Sequence, residues 1–402
     1  MTTTPSENPP AALDGALWRS ITTQLANLEE LVTGPEAPGS IQERAEGWRY
    51  LLRFLEAGIR SCLAAGDADY PEFTRMIENS MSWGLDNPDC NYSYARIRGD
   101  ARYRVGGRIG SARHLEIQVN TGHFGDGNVG GWRTVSSLIL DEIKRDANGN
   151  FEILLGSEPD PAAQNHMLIN EQASFVFVRQ YMENWDVERP ADLFIERVAA
   201  ELPRPALTPA TLEARVQDLL QWLDKGARGW AGMARLVHAA PLQAITMTPP
   251  LVGNAGLRGQ SYGMGHYRCA ADEALILEFK PPACRMWGIQ LCNTWWESME
   301  FATRQTSLNS HQARLDPDGL FRGVVAHHDP GFANWIDCEG HVDGTIAVRY
   351  LFPDAVNQPA LRVVALGDLQ REMPADSPRT TREERRLVLE RRSRAVQLRY
   401  RY

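Results

Sequence analysis

Two stretches of this chain carry the same landmarks at a nearly constant distance, and any fold it adopts has to accommodate that repetition. RHLEIQV, beginning at Arg113, matches RMWGIQL, beginning at Arg285, with Ile-Gln at the same offset. The turn from Asp146 to Phe151 (DANGNF) matches the one from Asp316 to Phe321 (DPDGLF). Val178-Arg179 matches Val348-Arg349, and Pro190-Ala191 matches Pro359-Ala360. The shift is 172 residues at the first landmark, 170 at the turn and the arginine, and 169 at the last. A period this long, found twice, means two domain-sized copies rather than a solenoid of small repeats.

Each copy reads as strands. From Asn87 to about Arg197 short β-rich runs (YSYARI, ARYRV, HLEIQV, FEILL, SFVFVRQY, LFIERV) alternate with Gly, Asn and Asp, and this pattern indicates an antiparallel sheet, sandwich or barrel. Asn148-Gly149 and Asp318-Gly319 tolerate positive φ, so each is expected to close a hairpin. Arg179 and Arg349 are expected to reach solvent or an edge carboxylate, since arginine is seldom buried unpaired.

Helical spacing surrounds the copies. Leu17, Ile21, Leu25, Leu28 and Val32 form one stripe, ended by Gly34-Pro35. Leu51, Leu55, Ile59 and Cys62 form a second, and a short helix is expected over residues 71–79. Thr208 and Pro209 read as an N-cap and first-turn pair for a helix buried through Leu212, Val216, Leu219 and Leu223. Residues 1–10 are polar and proline-bearing and read as disordered. The expected fold class is α+β, mainly β, with two tandem related antiparallel β-sandwich or jelly-roll-like domains. The division is an N-terminal helical region (1–85), a first β-domain (86–200), a helical linker (201–257), a second β-domain (258–370) and a basic C-terminal tail (371–402).

Composition narrows the partners. At 402 residues with 43% hydrophobic and 23% charged residues the chain can bury sizeable cores, and its net charge of −9 argues against nucleic acid. There is no signal-peptide pattern and no apolar run near the roughly 20 residues a membrane span needs. Six scattered cysteines without CxxC pairs read as free buried thiols. A cytoplasmic protein without membrane contact is the expectation. The tail from Thr380 is arginine-rich around Leu387, Val388 and Leu389. It is expected to dock either on a partner subunit, making a homo-oligomer, or on the acidic body of the same chain.

The segment YRCAADEALILEFKPPACRMWGIQLCNTWWESMEFATRQTSLNSHQA, with HHDPGFANWID and VRYLF after it, resembles the bacterial domain-of-unknown-function family 1214 over about residues 266–369. NPDCNYSYARIRGDARYRV at the start of the first copy is similar to proteins that also carry the companion family 1254. The resemblance implies β-sandwich, jelly-roll-like domains and carries no activity.

Chemistry is sought in the loops that follow the two Ile-Gln strands, because loops on a rigid scaffold collect binding groups. The first, NTGHFGDGNVGGWRT, holds His123. The second holds Trp295, Trp296, Glu297, Arg304 and His311. Glu297 and His311 are the acid/base candidates and Arg304 the oxyanion partner. Trp295, Trp296, Trp335, Asn334, His123 and Tyr92 are the expected ligand contacts. Each has a plainer alternative: Glu297 and Arg304 pairing with one another, His311 and Asn334 as hydrogen-bonded structural groups, and Trp335 as core. His327, Asp329 and His341 superficially match a two-His-one-carboxylate set, but Pro330-Gly331 reads as a turn, and no metal or other cofactor is assigned. GxSxG, GxGxxG and phosphate-loop sequences are absent. The reading is an enzyme performing acid/base chemistry on a small apolar or aromatic metabolite in a Trp-lined pocket. A non-catalytic small-molecule-binding protein is the alternative.

Overall fold

Eight strands, β1 (Cys90–Arg96), β2 (Tyr103–Arg108), β3 (His114–Thr121), β4 (Thr134–Ile139), β5 (Asn150–Gly156), β6 (His166–Leu168), β7 (Ala173–Tyr181) and β8 (Asp192–Arg197), build the first copy in the computed structural model. The structure describes residues 14–252 and 256–400, so the start read as disordered lies outside the described residues. The second copy comprises β10 (Gln260–Arg268), β11 (Glu273–Phe279), β12 (Met286–Cys292), β13 (Ser307–Asn309), β14 (Phe321–Ala326), β15 (Trp335–Asp337), β16 (Asp343–Leu351) and β17 (Ala360–Ala365). A two-residue strand, β9 (Thr246–Met247), precedes it.

The sheets match strand for strand. The order β1-β7-β3-β4 recurs as β10-β16-β12-β13, with β9 added at the edge, and β6-β5-β2-β8 recurs as β15-β14-β11-β17. Even the exceptions match: β5–β6 and β14–β15 are parallel, amid otherwise antiparallel ladders. The protein is α+β and mainly β, built on tandem sandwich-like units.

The two Gly turns do not close hairpins. Gly149 and Gly319 do adopt positive φ, 83° and 80°. Yet β4 pairs with β3 while β5 pairs with β2, so the turn is a corner carrying the chain from one sheet to the other. The second copy does the same between β13 and β14.

The helices are α1 (Ala16–Asn27), α2 (Glu30–Thr33), α3 (Ile41–Gly58), α4 (Pro209–Gln221), α5 (Ala227–His238), α6 (Leu369–Glu372) and α7 (Arg382–Arg399). The first stripe is split at Leu28 into α1 and α2. The second extends through a π-helical segment, Ile59–Ala64, that turns Ile59 outward and Cys62 inward. No helix forms over 71–79: the Thr74 backbone pairs both ways with Tyr94 at 2.9 Å, bridging to the side of β1, while Met76 and Ile77 enter the core. Thr208 caps α4 as expected, accepting the Thr211 N–H at 3.2 Å.

Alternation along the central strands explains how the units join. In β7, Val176 and Val178 fill the first sandwich while Phe175, Phe177 and Tyr181 point away from it. In β16, Ile346 and Val348 point into the second sandwich and Leu351 points outward. The outward faces meet in the largest core, which also takes Tyr50 and Phe54 from α3, Trp230 from α5, and Trp83 and Trp222 from the segments outside these helices. Residues 201–257 are therefore more than a linker, since their tryptophans complete the centre.

His114 couples the units as well. It is fully buried, accepts from Arg285 Nη1 at 2.8 Å, and lies edge-on to Phe352. Burial, then the Arg285 charge, pushes its pKa down to about 3. An unfolded histidine binds its proton near pH 6.5, so this contribution is complete above that pH and lost as pH falls toward 3, at up to about 1.4 kcal/mol per pH unit. The urea midpoint is therefore expected to fall less between pH 7 and pH 5 in His114→Gln than in the natural chain. Equal falls would remove His114 from the acid response.

The C-terminal helix α7 lies on this chain's own body. Its buried face carries Arg385, Arg392 and Arg399, seven residues apart, while Leu387 stays exposed. Arg385 donates to Asp329 (3.0 Å) and the Phe332 carbonyl (2.7 Å), and Arg392 donates to the Phe301 carbonyl (3.1 Å) and Ser307 (3.0 Å). Among the described residues, no helix is long and apolar enough to cross a membrane. All six cysteines are free.

Candidate functional site

The two arginines expected at solvent or at a sheet edge are buried in the central strands, 8% and 6% exposed. Arg179 stands opposite Tyr92 across β1–β7, and Arg349 stands opposite Tyr262 across β10–β16. Each donates through Nη1 to the glutamine of its Ile-Gln landmark, Arg179 to Gln118 and Arg349 to Gln290. Each tyrosine hydroxyl accepts a backbone N–H from the segment before its strand, Asn87 at 3.0 Å and Leu257 at 3.1 Å.

The glutamines then cross between copies. Gln118 Nε2 donates to the Gly256 carbonyl at 2.9 Å, and Gln290 Nε2 donates to the Asp86 carbonyl at 2.7 Å. Gly256 and Asp86 are equivalent positions, 170 residues apart. Each copy thus grips the lead-in of the other, as protomers do across a two-fold interface.

Between the facing sheets lies a chamber of about 650 Å³. Its sheet walls bear Tyr92, Phe177, Arg179 and Tyr181 from one copy and Tyr262, Met264 and Arg349 from the other. Trp83 and Trp230 add aromatic surface. The loop after β3 supplies Phe124, Val129, Trp132 and Arg133, and the loop after β12 supplies Trp296. The volume falls in the range of small-molecule sites.

Backbone strain marks one wall. Leu85 and Trp296 both sit at φ 59°, and the Leu85 N–H donates to the Trp296 carbonyl at 2.8 Å. Such left-handed geometry in residues with side chains costs about 1–3 kcal/mol each and gathers at ligand clamps. The Trp296 indole N–H is buried with no acceptor among the described residues.

Burial keeps the wall hydroxyls protonated, raising Tyr92 and Tyr181 well above the ordinary phenol value. Both arginines act on the Tyr181 hydroxyl in the opposite sense. Asp86 is the carboxyl in this lining. Its burial raises its pKa against the pull of Ser82 Oγ (2.6 Å) and the Ser298 N–H (2.8 Å).

Of the residues selected from sequence, Tyr92 and Trp296 line the chamber, and the structure does not bring the others to it. Glu297 is completely buried beside α3, gripped by Arg53 (2.8 Å), Arg49 (2.9 Å) and Asn293 (2.8 Å). Arg304, half-exposed, pairs with Asp337 at 2.8 Å rather than with Glu297. His311 is exposed in a separate polar cleft beneath α7. No acid/base set forms from these three, because Glu297 and Arg304 answer the charges of different neighbours and His311 lies in another cleft.

Trp295 and Trp296 occupy a turn, and they diverge. Trp295 borders a cleft of about 410 Å³ with His238, His266 and Asp343, its N–H on the Glu43 carbonyl at 2.7 Å. Asn334 braces the backbone of Arg314 and Arg322. Trp335 is core, its N–H on the Ala326 carbonyl at 2.9 Å. His123 packs edge-on against Trp222, behind the chamber wall. His327 meets the Cys269 carbonyl, Asp329 meets Arg385 and His341 meets Glu46, in three separate places.

Sequence reasoning passed over Arg179 and Arg349. The signal lay in SFVFVRQY and TIAVRYL, where apolar residues run on both sides of the arginine. Such a run belongs to a strand buried on both faces.

These features define a class: a duplicated β-sandwich protein with an aromatic chamber where its copies face each other. The crystal structure of an uncharacterized protein from Burkholderia cenocepacia is similar to this chain with a TM-score of 0.83 and 29% identity, covering 89% of this chain and 99% of that one. The VPA0106 protein from Vibrio parahaemolyticus shows a slighter likeness, with a TM-score of 0.46 and 14% identity over 78% of this chain and 98% of its own. No family model and no curated protein matches the chain.

Proposed function

We propose that the protein binds a small, mainly apolar molecule in the chamber between its two copies, without performing chemistry on it. The observation that carries this reading is the aromatic chamber itself, with strained backbone in its wall. The acid/base residues expected from sequence are engaged elsewhere, and that weighs toward the binding reading. A catalytic reading would pass to Asp86, a buried carboxyl whose pKa burial raises. The likeness to family 1214 contributes to the fold expectation and names no ligand.

N-phenyl-1-naphthylamine, a neutral probe that fluoresces in apolar surroundings, is expected to bind one molecule per chain. Met264→Trp and Val129→Trp place bulk in the chamber from opposite sides and are expected to weaken that binding at least tenfold while the circular dichroism spectrum is kept. Undiminished binding in both filled variants would place the probe elsewhere and sink the reading.

A further inference from the structure

The chamber is apolar, yet its lining is unevenly charged. Arg179, Arg349 and, at the exposed rim, Arg133 line it with Asp86 as the accompanying carboxyl. Arg349 is the sharpest case. Its guanidinium donates to the Gln290 amide oxygen and to the Leu85 carbonyl (2.9 Å), both neutral acceptors. Among the described residues, no carboxylate lies within ion-pair distance of it. The groups that act on it electrostatically are Tyr181, Tyr92, Tyr262 and Cys292, and burial keeps Tyr92, Tyr181 and Cys292 in their neutral forms.

A buried cation held only by neutral dipoles lacks the counter-charge that ordinarily accompanies one. Arginine also keeps donors to spare after two hydrogen bonds, since its planar fork carries five N–H groups. Arg179 is the equivalent residue and differs in its surroundings, standing opposite the buried Glu116 across β3–β7. Both copies hold an arginine in the middle of a buried strand, steady it with the Ile-Gln glutamine, and set a tyrosine opposite.

Resting on the binding reading above, we infer that the ligand is an organic acid, an apolar or aromatic body bearing one carboxylate, with the acid group seated against Arg349. A single carboxylate is preferred to a doubly charged phosphate because each further charge brought into so apolar a chamber costs desolvation. The planar carboxylate also matches the planar fork. The body of the ligand would lie along Phe177, Trp296 and Trp230, and Arg133 at the rim would draw the anion in.

The test compares 2-naphthoate with its neutral isostere 2-naphthamide by calorimetry at pH 7.5, with N-phenyl-1-naphthylamine as the charge-blind control. The natural chain is expected to bind naphthoate at least tenfold more tightly than naphthamide. Arg349→Gln should erase most of that preference, bringing naphthoate and naphthamide to within about twofold of each other in the same variant. Equal affinity of the natural chain for acid and amide overturns the inference while leaving the binding reading intact, and that comparison needs no variant to fold. A preference that survives the substitution overturns it too. Failure of the neutral probe to bind the natural chain would instead strike the binding reading.

Discussion

Replacing Trp222 by alanine is expected to destabilise the protein by about 3–5 kcal/mol, the range for truncating a large buried aromatic. Trp222 is completely buried where the helices meet the two sandwiches. It stacks on Phe54 at 4.7 Å between ring centroids, meets Trp83 edge-on at 5.5 Å, and donates its N–H to the Phe54 carbonyl at 2.8 Å. Two glycines make the room: a Cβ at Gly58 would lie 2.5 Å from the indole, and one at Gly125 would lie 2.6 Å from it. That fit leaves little freedom for neighbours to collapse into the space an alanine would leave. Against a typical stability of about 5–15 kcal/mol, such a loss is a large fraction of the whole. Urea unfolding measures it, and a loss below about 1 kcal/mol would mean that the centre of the molecule is not where its stability resides.

Glu297→Gln comes second, with an expected loss of about 3 kcal/mol. Breaking a buried ion pair typically costs about 3–5 kcal/mol because the remaining charge stays desolvated. The lower end applies here, since Arg49 is 41% and Arg53 21% exposed and both can rehydrate. The effect should appear in the unfolding midpoint, while the folded variant binds the neutral naphthyl probe as the natural chain does. Unchanged stability together with lost binding would return Glu297 to the ligand site. That pattern of results separates a carboxylate that anchors α3 to the second sandwich from one that meets a ligand.

The duplication was legible in the sequence because its landmarks are turn and strand residues whose spacing survives changes at other positions. The strand runs were legible by their alternation, although β4 and β6 were missed. TVSSLI is half polar, and HML is too short to show a period. The partition of the turns between sheets was not legible. Asn148-Gly149 specifies a tight reversal but says nothing about whether the strand beyond it returns beside the last one or crosses the sandwich.

For the site, Trp296 and Tyr92 were chosen for the right surface, and the loops after the Ile-Gln strands do reach the chamber. The acid/base set failed for a physical reason. Residues close in sequence, such as Glu297, Arg304 and His311, are dispersed once a turn and an edge strand intervene: Glu297 and Arg304 find partners from distant elements, and His311 is left exposed in another cleft. Conversely, Arg179 and Arg349 converge from residues 170 positions apart, which only the pairing of the two copies can bring about. The C-terminal helix shows the same limit: its apolar Leu387 faces outward while three arginines turn in, because backbone carbonyls and the Asp329 carboxylate receive Arg385 and Arg392, and its apolar contacts come from Ala395 and Val396.

The account turns on the interface between the copies being a binding chamber, and a crystal structure grown with 2-naphthoate tests that most directly. The expected result is a naphthyl ring against Trp296 and Phe177, its acid group within hydrogen-bonding distance of the Arg349 guanidinium. Naphthoate seated in the cleft beside His266 and Asp343, or an empty chamber in crystals saturated with the acid, would contradict it.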